Sequence, residues 1–108
     1  MNTGFVYRQL GRLQSFDKTI RQSPNDPDLP ASYANKAGTH VALKQYDQAI
    51  ESARRAIAIS PNYGVPYWYL ITAVALTGQE SQAREALLRY LALPGVAATV
   101  PAGEAGEG

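Results

Sequence analysis

Apolar side chains recur along this chain at intervals of three and four residues, which places them on one face of an α-helix. The clearest stripe is Tyr67, Leu70, Ile71 and Val74. Two further stripes have the same spacing and consist of Ala49, Ile50, Ala53, Ala56 and Ile57, and of Ala83, Ala86, Leu87, Tyr90 and Leu91. No segment shows the strict alternation of apolar and polar residues that indicates a half-buried strand. The pattern therefore predicts an all-α protein.

Turn-forming residues separate the stripes, most clearly in segments 23–27 and 60–64, which both begin with Ser-Pro-Asn. Pro30 and Pro66 stand where helices would begin, because the first helical turn tolerates a missing N–H. The connections are short, so neighbouring helices should pack antiparallel as hairpins. We predict five helices, over residues 4–22, 30–43, 46–59, 65–77 and 80–92.

An offset of 34 residues superposes the second and third predicted helices on the fourth and fifth. The equivalent pairs are Tyr33 with Tyr67, Ala37 with Ile71, His40 with Val74, Ala49 with Ala83, Ala53 with Leu87, Ala56 with Tyr90 and Ile57 with Leu91. A helix–turn–helix unit with a period of 34 residues is typical of the tetratricopeptide repeat.

The chain resembles the tetratricopeptide repeat family over residues 13–95. Segment 46–62, which reads YDQAIESARRAIAISPN, is similar to the family's second helix and the turn that follows it. Lys36 stands where the family usually has Leu, and Lys44 stands where it usually has the turn Gly. The resemblance implies a short right-handed stack of antiparallel helical hairpins, an α–α superhelix.

We expect residues 1–93 to form one helical domain. It would contain a half repeat at 4–22, a repeat at 30–63 and a second repeat at 64–95. The half repeat has two interpretations, since Gly11 could be a hairpin turn. A single helix is preferred, because five apolar residues lie near one face, namely Phe5, Leu10, Leu13, Phe16 and Ile20.

The last fifteen residues differ in composition from the rest. Residues 94–108 contain no Lys or Arg and are dominated by Pro, Gly, Ala and Glu. Such a segment buries too little apolar surface to offset the entropy of ordering it. We therefore predict a disordered tail or a linker at 94–108.

Composition narrows the classes of function. Ten Lys and Arg against nine Asp and Glu give a net charge of +1, which supplies no electrostatic reason to expect nucleic acid as a partner. No apolar run approaches the roughly 20 residues that span a bilayer, so we expect no membrane association. The chain lacks cysteine and a signal-peptide core, and a cytoplasmic location is the default expectation.

The chain has few residues that could perform chemistry. We predict no catalytic residues, no metal and no cofactor. Asp26 and Asp28 flank a turn proline, where Asp commonly bonds its own backbone, and a divalent metal would need more oxygen ligands. His40 is the single histidine and occupies an aromatic position of the repeat, so we interpret it as a packed ring rather than as a ligand.

Trp68 and Tyr69 are the candidate binding residues. By helix geometry they turn away from Tyr67, which faces the hairpin interior. The resemblance implies that they line a largely apolar concave groove for a partner protein or peptide; the alternative is that they only pack against the first helix. By the same resemblance, the groove consists of Ala34, Asn35, Gly38, Val41, Trp68, Tyr69, Thr72 and Leu76.

Three functions remain open at this point. The first is a protein–protein interaction module, and the second is a regulatory or sensory segment of a larger protein. Segments 23–27, 46–49, 53–56 and 60–63, together with His40, resemble repeats of bacterial nucleotide cyclases and winged-helix transcription regulators. The third, an enzyme, is disfavoured by the residue inventory. Self-association through the last helix is a further partner hypothesis.

Overall fold

The computed structural model describes residues 3–95, which form five α-helices and no strand. The all-α prediction is confirmed, and each predicted helix boundary lies within one residue of the observed one. The helices are α1 at Thr3–Gln22, α2 at Leu29–Ala42, α3 at Tyr46–Ile59, α4 at Val65–Leu76 and α5 at Glu80–Leu91.

Each helix packs against its neighbour along the chain, and α2 also contacts α4. Two hairpins, α2–α3 and α4–α5, therefore stack on one another, and α1 packs against α2. Helix α1 continues through Gly11 without interruption, so the single-helix interpretation is confirmed. A salt bridge of 2.7 Å from Lys36 Nζ to Asp17 Oδ1 links α2 to α1.

The interfaces between helices are built around small side chains. Six alanines have no solvent exposure at all, and they are Ala34, Ala37, Ala49, Ala53, Ala56 and Ala73. Because alanine side chains are short, the helices can approach closely, while Tyr67 and Val74 supply the bulk of the core. Tyr67 is 2% exposed, and its hydroxyl donates a hydrogen bond of 3.0 Å to the Pro61 carbonyl.

The core ends at Leu93, which lies just after α5 and is 7% exposed. Leu93 belongs to the same apolar cluster as Tyr67 and Leu70, so the chain stays packed slightly beyond the last helix. The predicted tail at 94–108 falls outside the described residues apart from its first two. No helix among residues 3–95 is both long and apolar enough to cross a membrane.

The two hairpin turns have the same backbone hydrogen bonds, shifted by 34 residues. The Gln45 N–H donates to the His40 carbonyl at 2.8 Å, and the Gln79 N–H donates to the Val74 carbonyl at 2.9 Å. Both turns contain one residue in the left-handed region, with φ at 61° for Lys44 and 78° for Gly78. Lys44 therefore adopts the conformation for which the family's turn Gly is suited.

We expect Lys44→Gly to stabilise the protein and Gly78→Ala to destabilise it. A non-glycine residue in the left-handed region costs about 1–2 kcal/mol, so each change should alter the free energy of unfolding by about 1 kcal/mol, with opposite signs. Urea denaturation followed by circular dichroism measures both effects. A destabilised Lys44→Gly variant would show that the Lys44 side chain contributes more than its backbone conformation costs.

Candidate functional site

The structure separates the predicted groove residues into different environments. Asn35, Gly38 and Tyr69 line one concavity of about 460 Å³, between α1 and α2. Its other wall belongs to α1. We call this concavity the α1–α2 groove, and its remaining lining residues are Gln9, Arg12, Ser15, Phe16, Thr39 and Ala42.

The floor of the α1–α2 groove is a close contact between two helices. Gly38 of α2 faces the ring of Tyr69, and a Cβ atom at position 38 would lie 2.7 Å from the Tyr69 Cζ atom. Tyr69 is half-buried and packs against the core cluster. Tyr69 therefore has a structural role between α2 and α4, and only part of its surface is available to a partner.

One predicted groove residue cannot contact a partner. Ala34 has no solvent exposure, because it lies in the packed interface of α2 with its neighbours. The prediction that Ala34 lines a groove is therefore wrong. Val41 is half-buried and does not line the α1–α2 groove.

The remaining predicted residues form an exposed row on α4. Trp68, Thr72 and Leu76 are four residues apart, so they lie along one side of the helix. Trp68 is 51% exposed and Leu76 is 60% exposed, whereas Thr72 uses its hydroxyl to bond the Trp68 carbonyl at 2.9 Å. This row is separate from the α1–α2 groove.

The internal repeat explains why this row is exposed. Helix α2 contacts α1, α3 and α4, while α4 contacts α3, α5 and α2. Within the described part of the chain, no helix packs against α4 in the way that α4 packs against α2. Positions that are covered in the first hairpin should therefore be uncovered in the second.

The exposed fractions follow this rule. Trp68 is 51% exposed, and its equivalent Ala34 is fully buried. Leu87 is 43% exposed, whereas its equivalent Ala53 is fully buried. Leu91, at 45%, is the equivalent of Ile57, at 7%. We call this surface the open face, and it consists of Trp68, Thr72, Leu76, Leu87 and Leu91.

Sequence reasoning missed the contribution of α1 to the groove and of Leu87 to the open face, although it expected an uncovered apolar surface on the last helix. The residues that were not anticipated belong to no sequence motif. The 34-residue offset was the available signal, because it pairs Leu87 and Leu91 with residues of a stripe that predicts a core.

The residues considered for chemistry have structural partners. His40 is 7% exposed, and its Nδ1 atom lies 2.8 Å from the Gln45 Oε1 atom, which supports the packed-ring interpretation. The Asp28 N–H donates to the Asp26 Oδ1 atom at 2.8 Å, as a turn aspartate does. Among residues 3–95, no three His, Asp or Glu side chains are grouped so that they could hold a metal ion.

The fold and its repetition define this chain as a helical-hairpin repeat protein. Residues 30–63 match the model of the tetratricopeptide repeat family. That segment contains α2, the turn at Lys44 and α3. The match supports the resemblance seen in the sequence, and this hairpin is similar to a tetratricopeptide repeat.

Two curated relatives are similar to this chain. "Small glutamine-rich tetratricopeptide repeat-containing protein 2" from Saccharomyces cerevisiae is 42% identical over 67 residues, 62% of this chain and 19% of the relative. The protein of the same name from Mycosarcoma maydis is 31% identical over 74 residues, 68% of this chain and 20% of the relative. The chain thus spans about a fifth of the length of these relatives.

Both relatives are fungal, so they give no support to the bacterial source that the resemblance to nucleotide cyclases implied. Neither is described as a nucleotide cyclase or a winged-helix regulator. The resemblance to the repeats of those proteins therefore stays a prediction.

We expect Gly38→Ala to destabilise the natural protein but to stabilise a Tyr69→Ala variant. In a helix, Ala is favoured over Gly by about 1 kcal/mol, whereas overpacking against a fixed ring costs about 1–3 kcal/mol. A double-mutant cycle in urea measures both backgrounds. The same sign in both would mean that the ring moves aside without penalty and does not constrain position 38.

Proposed function

We propose that this protein is a non-catalytic interaction module and that the open face binds a segment of a partner protein. The observation that carries the proposal is the exposure of Trp68 at a position whose equivalent, Ala34, is completely buried. Large apolar side chains that lie together on a surface favour a partner, and tryptophan is enriched where interfaces derive most of their energy.

An α-helix is the partner shape that this surface favours. On the first hairpin, the equivalent surface is covered by α4, which is itself a helix. A helix in the corresponding place on α4 and α5 would extend the stack by the same geometry. It would need small residues opposite Trp68, because the indole takes up the space that Ala34 leaves free in the first hairpin.

The composition of the C-terminal residues does not favour a helix of that kind. Residues 96–108 contain no Leu, Ile, Met, Phe, Tyr or Trp, so their sequence lacks the apolar stripe of an amphipathic helix. We propose an amphipathic helix of another protein as the occupant. The α1–α2 groove, which contains Arg12 and Asn35, offers a partner further polar contacts beyond Tyr69.

Trp68→Ala should weaken partner binding by about thirtyfold, because truncation of a residue central to an interface typically costs at least about 2 kcal/mol. Helical circular dichroism should be unchanged, since Trp68 is half exposed. Tyr7→Ala is the matched control, because Tyr7 is an aromatic on α1 with 71% exposure, and α1 does not contact α4.

The measurement needs a partner and a defined point of contact. A photo-crosslinking residue at position 68 should capture a partner from lysate, and the same residue at position 7 should not. Trp68 is the single tryptophan, so its fluorescence reports the binding of the purified partner at this surface. If Trp68→Ala binds the partner as tightly as Tyr7→Ala does, the open face is not the binding surface.

A second copy of the chain is the other occupant that this surface could take. Leu88 of α5 is 62% exposed and lies one turn from Leu91 and beside Leu87. If copies associate through the last helix, sedimentation equilibrium should show a dimer that Leu91→Glu dissociates. A natural chain that stays monomeric at high concentration excludes self-association and leaves the open face for a different protein.

A further inference from the structure

The 34-residue repeat produces two equivalent crevices on the side of the stack formed by α1, α3 and α5. One lies between α1, α2 and α3 and has a volume of about 350 Å³; the other lies between α3, α4 and α5 and has a volume of about 280 Å³. Equivalent positions line both crevices, so any difference between them is a difference of side-chain chemistry rather than of fold.

The second crevice has an apolar floor, whereas the first has a polar one. Leu70, Val74 and Ala86 are buried at the floor of the second, which we call the apolar crevice. The equivalent residues of the first, the polar crevice, are Lys36, His40 and Ser52. Three polar replacements at a helix interface reduce stability unless the groups find partners.

Two of these polar groups are buried and have unused hydrogen-bonding capacity. His40 is 7% exposed, and its Nδ1 donates to the Gln45 Oε1 atom, because an amide oxygen can only accept. In the neutral ring, the His40 Nε2 atom is therefore an acceptor. Within residues 3–95, neither that atom nor the hydroxyl of Ser52 forms a hydrogen bond. No fully buried side-chain nitrogen or oxygen in that part of the chain lacks a partner, so both atoms reach the surface of the crevice.

The charges around this floor favour an anion. The polar crevice is lined by three cationic side chains, Arg21, Lys36 and Arg55, and by two carboxylates, Asp17 and Glu51, which gives an excess of one positive charge. Lys36 is held by Asp17 at 2.7 Å. Arg55 is 3.4 Å from Glu51 in an exposed pair, which is worth little, and Arg21 forms no ion pair within residues 3–95.

We infer that the polar crevice binds a phosphate group. Phosphate oxygens accept from Arg21, Arg55 and the Ser52 hydroxyl, as anions do from arginine and hydroxyl donors. A singly protonated phosphate also carries a P–OH group, which donates to the His40 Nε2 atom. A carboxylate or a sulfate has no such donor at neutral pH, so the combination of donors with one acceptor selects phosphate.

The inference can be tested on the full chain by NMR. His40 is the single histidine, so its ring protons give one unambiguous signal. Inorganic phosphate at about pH 7.5, where the dominant ion keeps one proton, should shift that signal and saturate, with chloride at matched ionic strength as the baseline. Sulfate should bind about fivefold more weakly, the value of one hydrogen bond of about 1 kcal/mol.

Two variants examine the donors without removing the reporter. Ser52→Ala reproduces the residue of the apolar crevice, Ala86, and Arg21→Gln removes an exposed charge, so both should fold. Each should weaken phosphate binding by about threefold or more. The backbone amides of Val74 and Ala86 in the apolar crevice should not shift, which provides an internal control.

The inference is wrong if phosphate gives no saturable shift, if sulfate binds equally well, or if both variants bind phosphate like the natural chain. A triple variant, Lys36→Leu, His40→Val and Ser52→Ala, gives the polar crevice the floor residues of the apolar crevice and provides a second test. In this variant, phosphate should no longer shift the backbone amide signals of α2 and α3. The variant should also be more resistant to urea than the natural chain. A triple variant that still binds phosphate would also overturn the assignment.

A parallel titration distinguishes a phosphorylated polypeptide from free phosphate as the natural ligand. A short peptide that contains phosphoserine should bind more tightly than inorganic phosphate if the natural ligand is a modified polypeptide. Equal affinities indicate free phosphate or a small phosphate ester, and both results support the phosphate assignment provided that Arg21→Gln weakens them.

Discussion

The structure depends on the close contact of helices α2, α3 and α4 through alanines that have no solvent exposure. Short side chains let the hairpins stack, and the space that remains is filled by a few large residues, chiefly Tyr67 and Leu70. The same contact accounts for Gly38, where even one added methyl group would meet the Tyr69 ring. A repeat protein of this kind is stabilised by interfaces between neighbours, so a hairpin that has no neighbour on one side presents an uncovered surface there.

The two hairpins share a backbone but differ in what their surfaces can do. Their turns have equivalent hydrogen bonds although one contains Lys44 and the other Gly78. Ala34 of the first hairpin is covered by the second hairpin. The equivalent residue of the second hairpin, Trp68, is exposed. In the crevices, the first hairpin carries the polar residues. Function in this chain is therefore a matter of the side chains placed on a repeated framework rather than of the framework itself.

The helices could be predicted from the sequence because their periods and breaks are local. The stripe around Tyr67 and the Ser-Pro-Asn turns placed the boundaries within one residue of the structure. The candidate site could not be predicted as well, since exposure depends on which helix lies across each position. Ala34 and Trp68 occupy the same place in the repeat, yet only the first is covered. The packing of Tyr69 on Gly38 likewise joins two residues that are 31 positions apart in the sequence, which no local pattern reveals.

The sequence by itself determined the fold class, the helix boundaries and the 34-residue repeat, because hydrophobic period and turn chemistry act over a few residues. It also determined that His40 would be a packed residue, since no second histidine and no cysteine could join it. Only the tertiary structure decided which surfaces are available. It buried Ala34, joined α1 to α2 as the walls of a groove, and brought Ser52 and His40 from two helices to one crevice. Those contacts join distant parts of the chain. The exposure of each residue follows from the packing of whole helices rather than from any local pattern.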